Sequence, residues 1–340
     1  MQSLLLTAAL LAPVWTSDGL QRSALPADVD FVAHLDVEGL KTTELWKEFQ
    51  THLSAEGELD DLEEFQERYG IDPFTDVRAV TLYKMKSEEE PTVALFTTST
   101  KIDEALKRLQ KEDGYRRLSE GGIELHSWSE SEISGHDTVY SYVHTRSRGE
   151  RVVLIASNKE SALRGARVLR GEEPSHAVGG APLLIAPDPG SFLYVSAANI
   201  PHLSEFSPAS QVFGLAQGIQ VDLGEAGGFL RAHLALLTSL PEQARQISDV
   251  VRGLVSLGGL ALTGEPTAEP VLELLRSLRI STRGNEVAVD FEYSVRELIE
   301  ILRSVDSDDD DEADEADEAD EEEHEQVEIR ERKHVEKRDH

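Results

Sequence analysis

Two runs of this chain place chemically useful groups at a readable spacing. Over Gly122–Trp128, strand alternation puts Glu124, His126 and Trp128 on one face. Over Thr138–Arg146 it does the same for Tyr140, Tyr142 and His144. The two runs read as a hairpin. If both sets lie on one side, they make an aromatic, imidazole-bearing and acidic patch. Such a patch could take a metal, a sugar or a peptide, because imidazole and carboxylate ligate cations and rings stack on apolar faces. The competing reading is an ordinary covered sheet face, where Trp and Tyr pack and each His finds a backbone partner. No residue is assigned a catalytic role.

A second chemistry lies near the end of the chain. Between Asp306 and Gln326 there are fifteen carboxylates and no Lys or Arg. Burying that density of like charge without partners is prohibitive, so residues 306–340 are expected to be a solvated, extended and disordered tail. Asp308, Asp309, Asp310, Asp311, Glu321, Glu322 and Glu323 are the candidate ligands for weak binding of divalent cations. Carboxylates alone suit a hard cation such as calcium better than zinc. A basic protein would be attracted by the same charge. The string D-E-A-D at Asp311–Asp314, and again at Asp314–Asp317, is a helicase signature only within a nucleotide-binding sheet preceded by a phosphate loop. Here it belongs to a charge run.

Other enzyme signatures are missing from the sequence. There is no G-x-S-x-G, S-x-x-K, H-E-x-x-H or G-x-G-x-x-G pattern. Gly39-Leu-Lys-Thr-Thr43 resembles a phosphate loop only superficially, since no Gly precedes the Lys directly. His34, His52, His136, His176, His202 and His233 fit no ligand spacing. No specific metal site and no cofactor are expected. The absence of Cys removes disulfides, thiolate nucleophiles and sulfur-ligated zinc.

The net charge of −32 argues against nucleic acid, which needs Lys and Arg to displace counterions. It argues equally against anionic lipid. Ser3–Trp15 is one apolar stretch of signal-peptide length, too short to span a bilayer. Residues 1–22 therefore read as a signal peptide or a disordered start. The expected location is periplasmic or secreted, with no transmembrane anchor in the mature chain. If the start is not a signal, the location is cytoplasmic. The oligomeric state is not legible.

These groups must be positioned by the body, which reads as α+β with mainly antiparallel sheet in two tandem related halves, 25–175 and 187–305. The halves carry matched helix-start signals, a Ser or Thr followed three residues on by an acid. They fall at Thr100/Asp103 and Ser157/Glu160, then at Ser239/Glu242 and Ser294/Glu297. Gly149–Ser157 aligns with Gly284–Glu292, and Pro26–Asp36 with Pro187–Ala197. Asp36 and Asn199 are expected caps after the strands. Ala216–Leu223 and Phe229–Leu237 read as a ladder joined by Gly224–Gly228. A charged helix is expected near Glu58–Tyr69. The Gly- and Pro-rich stretch Gly171–Pro189 is the expected joint between the halves.

Leu25–Asp36 (LPADVDFVAHLD) followed by Tyr69–Tyr83 (YGIDPFTDVRAVTLY) resembles an uncharacterised family of exported bacterial proteins. The resemblance spans about residues 25–305 and rests on turns and strands. It implies an extracytoplasmic protein with a duplicated α+β body and supplies no catalytic residues. The leading functional expectation is a non-enzymatic binding or structural module. The alternatives are a hydrolase of unrecognised type using the first-half hairpin, and cation or basic-protein binding through the tail.

Overall fold

The computed structural model describes residues 19–56, 66–86, 93–112, 114–129, 138–146, 149–179, 190–198, 210–262 and 269–301. The fold is α+β, built on one sheet of twelve strands. The strands are β1 (Val29–Asp36), β2 (Val77–Met85), β3 (Val93–Thr98), β4 (Arg116–Glu120), β5 (Ile123–Trp128) and β6 (Val139–Thr145). They continue with β7 (Arg151–Ala156), β8 (Ser191–Ala198), β9 (Ala216–Ala226), β10 (Phe229–Thr238), β11 (Arg279–Arg283) and β12 (Glu286–Ser294). Helices among the described residues include α1 (Val37–Leu40), α2 (Glu44–Glu56), α3 (Pro73–Asp76), α4 (Ile102–Leu109) and α5 (Lys159–Leu169). They also include α6 (His176–Gly179), α7 (Ser210–Phe213), α8 (Pro241–Ala261) and α9 (Glu269–Ser277). Residues 66–69 and 295–301 are helical too. The expected helix at Glu58–Tyr69 lies largely outside the described residues, as do Asn199 and the acidic tail.

The order across the sheet is β11-β12-β10-β9-β8-β1-β2-β3-β7-β6-β5-β4, and every neighbouring pair is antiparallel. Because β1 pairs with β8, both halves share one sheet. Outward from that pair the order is β1-β2-β3-β7 on one side and β8-β9-β10-β12 on the other. The helices that follow β7 and β12 differ, however. Cross-strand partners point to the same face, so the register decides which face each helix covers. Ala162, Leu163 and Ala166 of α5 pack with Val32, Tyr83 and Leu154. Residues 295–301 place Val295, Leu298 and Ile299 against Leu230, Leu35 and Phe291, on the opposite face. The α8 residues Ala244 and Ile247 use that second face as well, over Leu236 and Val287.

Local chemistry explains where the elements begin. The β9–β10 ladder turns through Gly227 and Gly228, at φ 63° and 79°. Two consecutive positive φ angles suit a two-residue hairpin turn, and glycine reaches them without strain. The strands extend further into the expected Gly224–Gly228 loop than the turn signal implies. Asp36 caps α1 as expected, accepting from the Gly39 N–H at 2.9 Å. That N–H is therefore held by a carboxylate of its own chain, which disposes of the phosphate-loop likeness.

The four expected helix starts fare unequally. Ser294 Oγ accepts from Glu297 N–H, at a long 3.4 Å. At α5 the cap is Asn158, one residue on from Ser157, and its side chain accepts from Ser161 N–H at 2.8 Å. At α8, Pro241 takes the first helical position, where its missing N–H costs nothing. The cap position thereby moves from Ser239 to Leu240, whose N–H donates to Gln243 Oε1 at 3.2 Å. At α4 the preceding residue is Lys101, already helical and drawn to Asp76 at 2.9 Å, so Thr100 makes no side-chain cap. One cap was illegible in the sequence. The Glu225 carboxylate, at the β9–β10 hairpin, accepts from the N–H groups of Glu44 and Leu45 at 2.9 and 3.2 Å. It thus closes the start of α2 from the other half of the chain.

Candidate functional site

The register decides the fate of the hairpin patch. Ser127 pairs with Tyr140 and His126 with Ser141. Tyr140, Tyr142 and His144 therefore share a face with Leu125 and Ser127, while Glu124, His126 and Trp128 lie on the other. The six residues do not form one surface.

On the second face, His126 is buried and its Nδ1 lies 2.7 Å from the Tyr115 hydroxyl. Burial pushes its imidazole below the ordinary range; Glu124 opposes that shift and Arg117 adds to it. Glu124 itself sits 3.5 Å from Arg117, with its side chain about half exposed. This is a packed imidazole beside a surface ion pair. On the first face, Tyr140 and Tyr142 pack against the core beneath α5.

His144 has a different setting. It lines an open cleft of about 760 Å³ with Gln21, Ser23, Arg146, Arg170 and Ser175. Each wall comes from a separate stretch of chain. The 3-10 turn Arg22–Ala24 supplies one wall, the end of β6 the floor, and the end of α5 with Gly171–Ser175 the rest. The walls are tied together by backbone: His176 N–H donates to Leu25 C=O at 2.8 Å, and Pro26 bridges to Ser175. Burial lowers the His144 pKa, and the nearby Arg146 and Arg170 lower it further. At neutral pH the ring is therefore a neutral donor and acceptor beside two guanidinium groups. Arg170 meets Glu172 at 2.7 Å and donates to the Gly122 C=O at 2.8 Å. Arg146 meets Glu150 at 3.3 Å.

Arg146 and Arg170 escaped the sequence reading, although a signal was present. Residues 146–170 hold seven basic and two acidic side chains, within a chain of net charge −32. A local inversion of charge sign of that size marks a surface with its own partner.

The cleft borders a polar row, buried from Thr81 to Asp222 and open at its His233–Asp290 end, that no spacing rule reveals. Cross-strand pairing aligns Thr81, His34, Tyr194, Asp222, His233 and Asp290 across six strands. His34 Nδ1 lies 2.8 Å from Thr81 Oγ1, and His233 Nδ1 lies 2.8 Å from Asp290 Oδ1. Gln220 Nε2 donates to Asp222 Oδ2 at 2.7 Å. Burial pushes the Tyr194 phenol up to about 12. Beneath residues 19–25, a void of about 10 Å³ beside His34 and Thr81 has room for about one water.

Among the described residues no group of three or more His, Asp or Glu is arranged to hold a metal ion. No described helix is long and apolar enough to cross a membrane. The tail ligands from Asp308 to Glu323 lie outside the described residues.

No known family profile and no curated protein matches the chain. Among solved structures, crystal form III of TP0453 is similar with a TM-score of 0.44 and 12% identity. That match covers 83% of this chain and 97% of the other. Crystal form I gives the same TM-score at 13% identity, covering 85% and 99%. Similarity of this degree carries over neither fold nor function.

Proposed function

We propose that the protein is a non-enzymatic binding module of the extracytoplasmic space, with its ligand site in the cleft beside residues 21–24. The observation that carries this reading is the cleft itself. Its size falls in the range of small-molecule sites, about 300–1,000 Å³, and the polar or cationic side chains of Gln21, Ser23, His144, Arg146, Arg170 and Ser175 converge on it from separate stretches of chain. The proposed location rests on the apolar stretch Ser3–Trp15.

The test is a thermal-shift screen of a broad small-molecule panel on wild type and on Ser23→Trp, which fills the cleft from its exposed wall. Compounds that raise the wild-type Tm are expected to lose that effect in the variant. Equal shifts in both proteins would place the ligand elsewhere.

The fifteen tail carboxylates support a second role, weak capture of calcium or a basic protein. Deleting residues 306–340 is expected to leave the unfolding midpoint unchanged and to abolish the heat of calcium binding in low salt. The same heat from both proteins would reduce the tail to a solubility device.

A further inference from the structure

We infer that the cleft selects an anion carried on an apolar body, of which a medium-chain carboxylate is the simplest example. This rests on the reading of the cleft as the ligand site and adds the class of ligand.

Three independent observations converge. First, the stretch 146–170, which supplies both arginines of the cleft, reverses the charge sign of the protein. An anion repelled by the rest of the surface would be drawn there. Second, the fold brings Arg146 and Arg170 to one cavity although they are distant in sequence. The carboxylates facing them are already engaged. Glu172 is held by Arg170, and Glu173 by Arg164 and Arg167 at 3.4 and 3.3 Å. Glu150 is shared between Arg146 and Arg78 at 3.3 and 3.2 Å. A guanidinium carries five N–H donors. The bonds among described residues use one N–H of Arg146 and two of Arg170, so both retain donors for a ligand. Third, Ala24, Val168, Leu169 and Pro174 give the cavity an apolar wall beside that head-group site.

His144 makes the inference measurable. The charged groups that set its ionisation are both cations, Arg146 and Arg170, while Glu172 and Glu173 face the same cavity from the turn. A bound anion would offset the two guanidinia and favour the imidazolium. The pKa of His144 must therefore rise on binding, and by linkage the affinity must rise as pH falls through the histidine range.

The experiment follows the His144 ring by NMR in the full-length protein, titrated with octanoate and, separately, with octylammonium. Octanoate is expected to shift the resonance and raise the pKa, and octylammonium to do neither. Arg170→Gln should weaken octanoate about tenfold or more, with Arg170→Lys recovering part of the loss; Arg146→Gln provides a second test should Arg170→Gln fold poorly. Octylammonium binding as tightly as octanoate, or octanoate binding unaffected by both Gln variants, would overturn the inference and leave the binding-module reading intact. The inference also fails, and that reading stands, if neither probe moves His144 while panel compounds remain sensitive to Ser23→Trp. If neither probe acts and no compound is sensitive to that variant, both readings fail.

Discussion

Leu154→Ala is expected to destabilise the protein by about 2–5 kcal/mol, the range for emptying a well-packed leucine site. Leu154 is fully buried on β7, between Leu95 and Tyr142 in cross-strand register and beneath α5. The helix lies close there because residue 165 is glycine. A Cβ at Gly165 would collide with Leu154 Cδ1 and stand 2.7 Å from Tyr83 Oη. Gly165→Ala alone should therefore cost about 1–3 kcal/mol through overpacking. Truncating Leu154 to alanine removes its Cδ1 and so clears the closer of the two clashes. The double variant should then be less unstable than the sum of the singles, by a coupling of about 0.5–3 kcal/mol. Denaturant unfolding of the four proteins measures the cycle. Strict additivity would mean that α5 relaxes away from the sheet without using the cavity.

Trp46→Ala should cost about 3 kcal/mol, the lower end for a buried aromatic, because α2 lies at the margin of the fold. Trp46 is 6% exposed and meets Phe74 edge-on, with ring centroids 5.1 Å apart at 69°. Its N–H donates to Thr43 Oγ1 at 3.0 Å, which fixes the first turn of α2. The side chain therefore couples α2 to α3, and Glu225 couples the start of α2 to the other half. The midpoint of urea unfolding should fall while the slope stays constant. A loss below about 1 kcal/mol would show that α2 is held by the Glu225 cap and not by this ring.

Turns and strands were legible because their causes are local. Gly227 and Gly228 had to adopt positive φ wherever the hairpin sat, and alternation marked β5 and β6 from a few residues. The α+β class followed from the same short-range patterns. Helix starts were legible only to within a residue or two. At α8 a proline competed with Ser239, and at α5 an asparagine competed with Ser157. The helices after β7 and β12 begin from similar signals yet cover opposite faces. A capping pattern states where a helix begins and says nothing of where it packs.

What the sequence determined by itself was charge, strand and turn: an acidic body, a run of carboxylates without Lys or Arg near its end, and an antiparallel α+β framework. Only the tertiary structure decided which side chains meet. A shift of one residue in strand register moves every side chain to the other face, and the β5–β6 register separates His126 from His144. The same pairing rule assembles Thr81, His34, Tyr194 and Asp222, and chain reversal around α5 brings Arg146 beside Arg170. Such contacts depend on backbone hydrogen bonds between distant segments, and those bonds are indifferent to side-chain identity. The cleft is therefore a product of registry and packing, while the positive charge that marks it was written in the residues from 146 to 170.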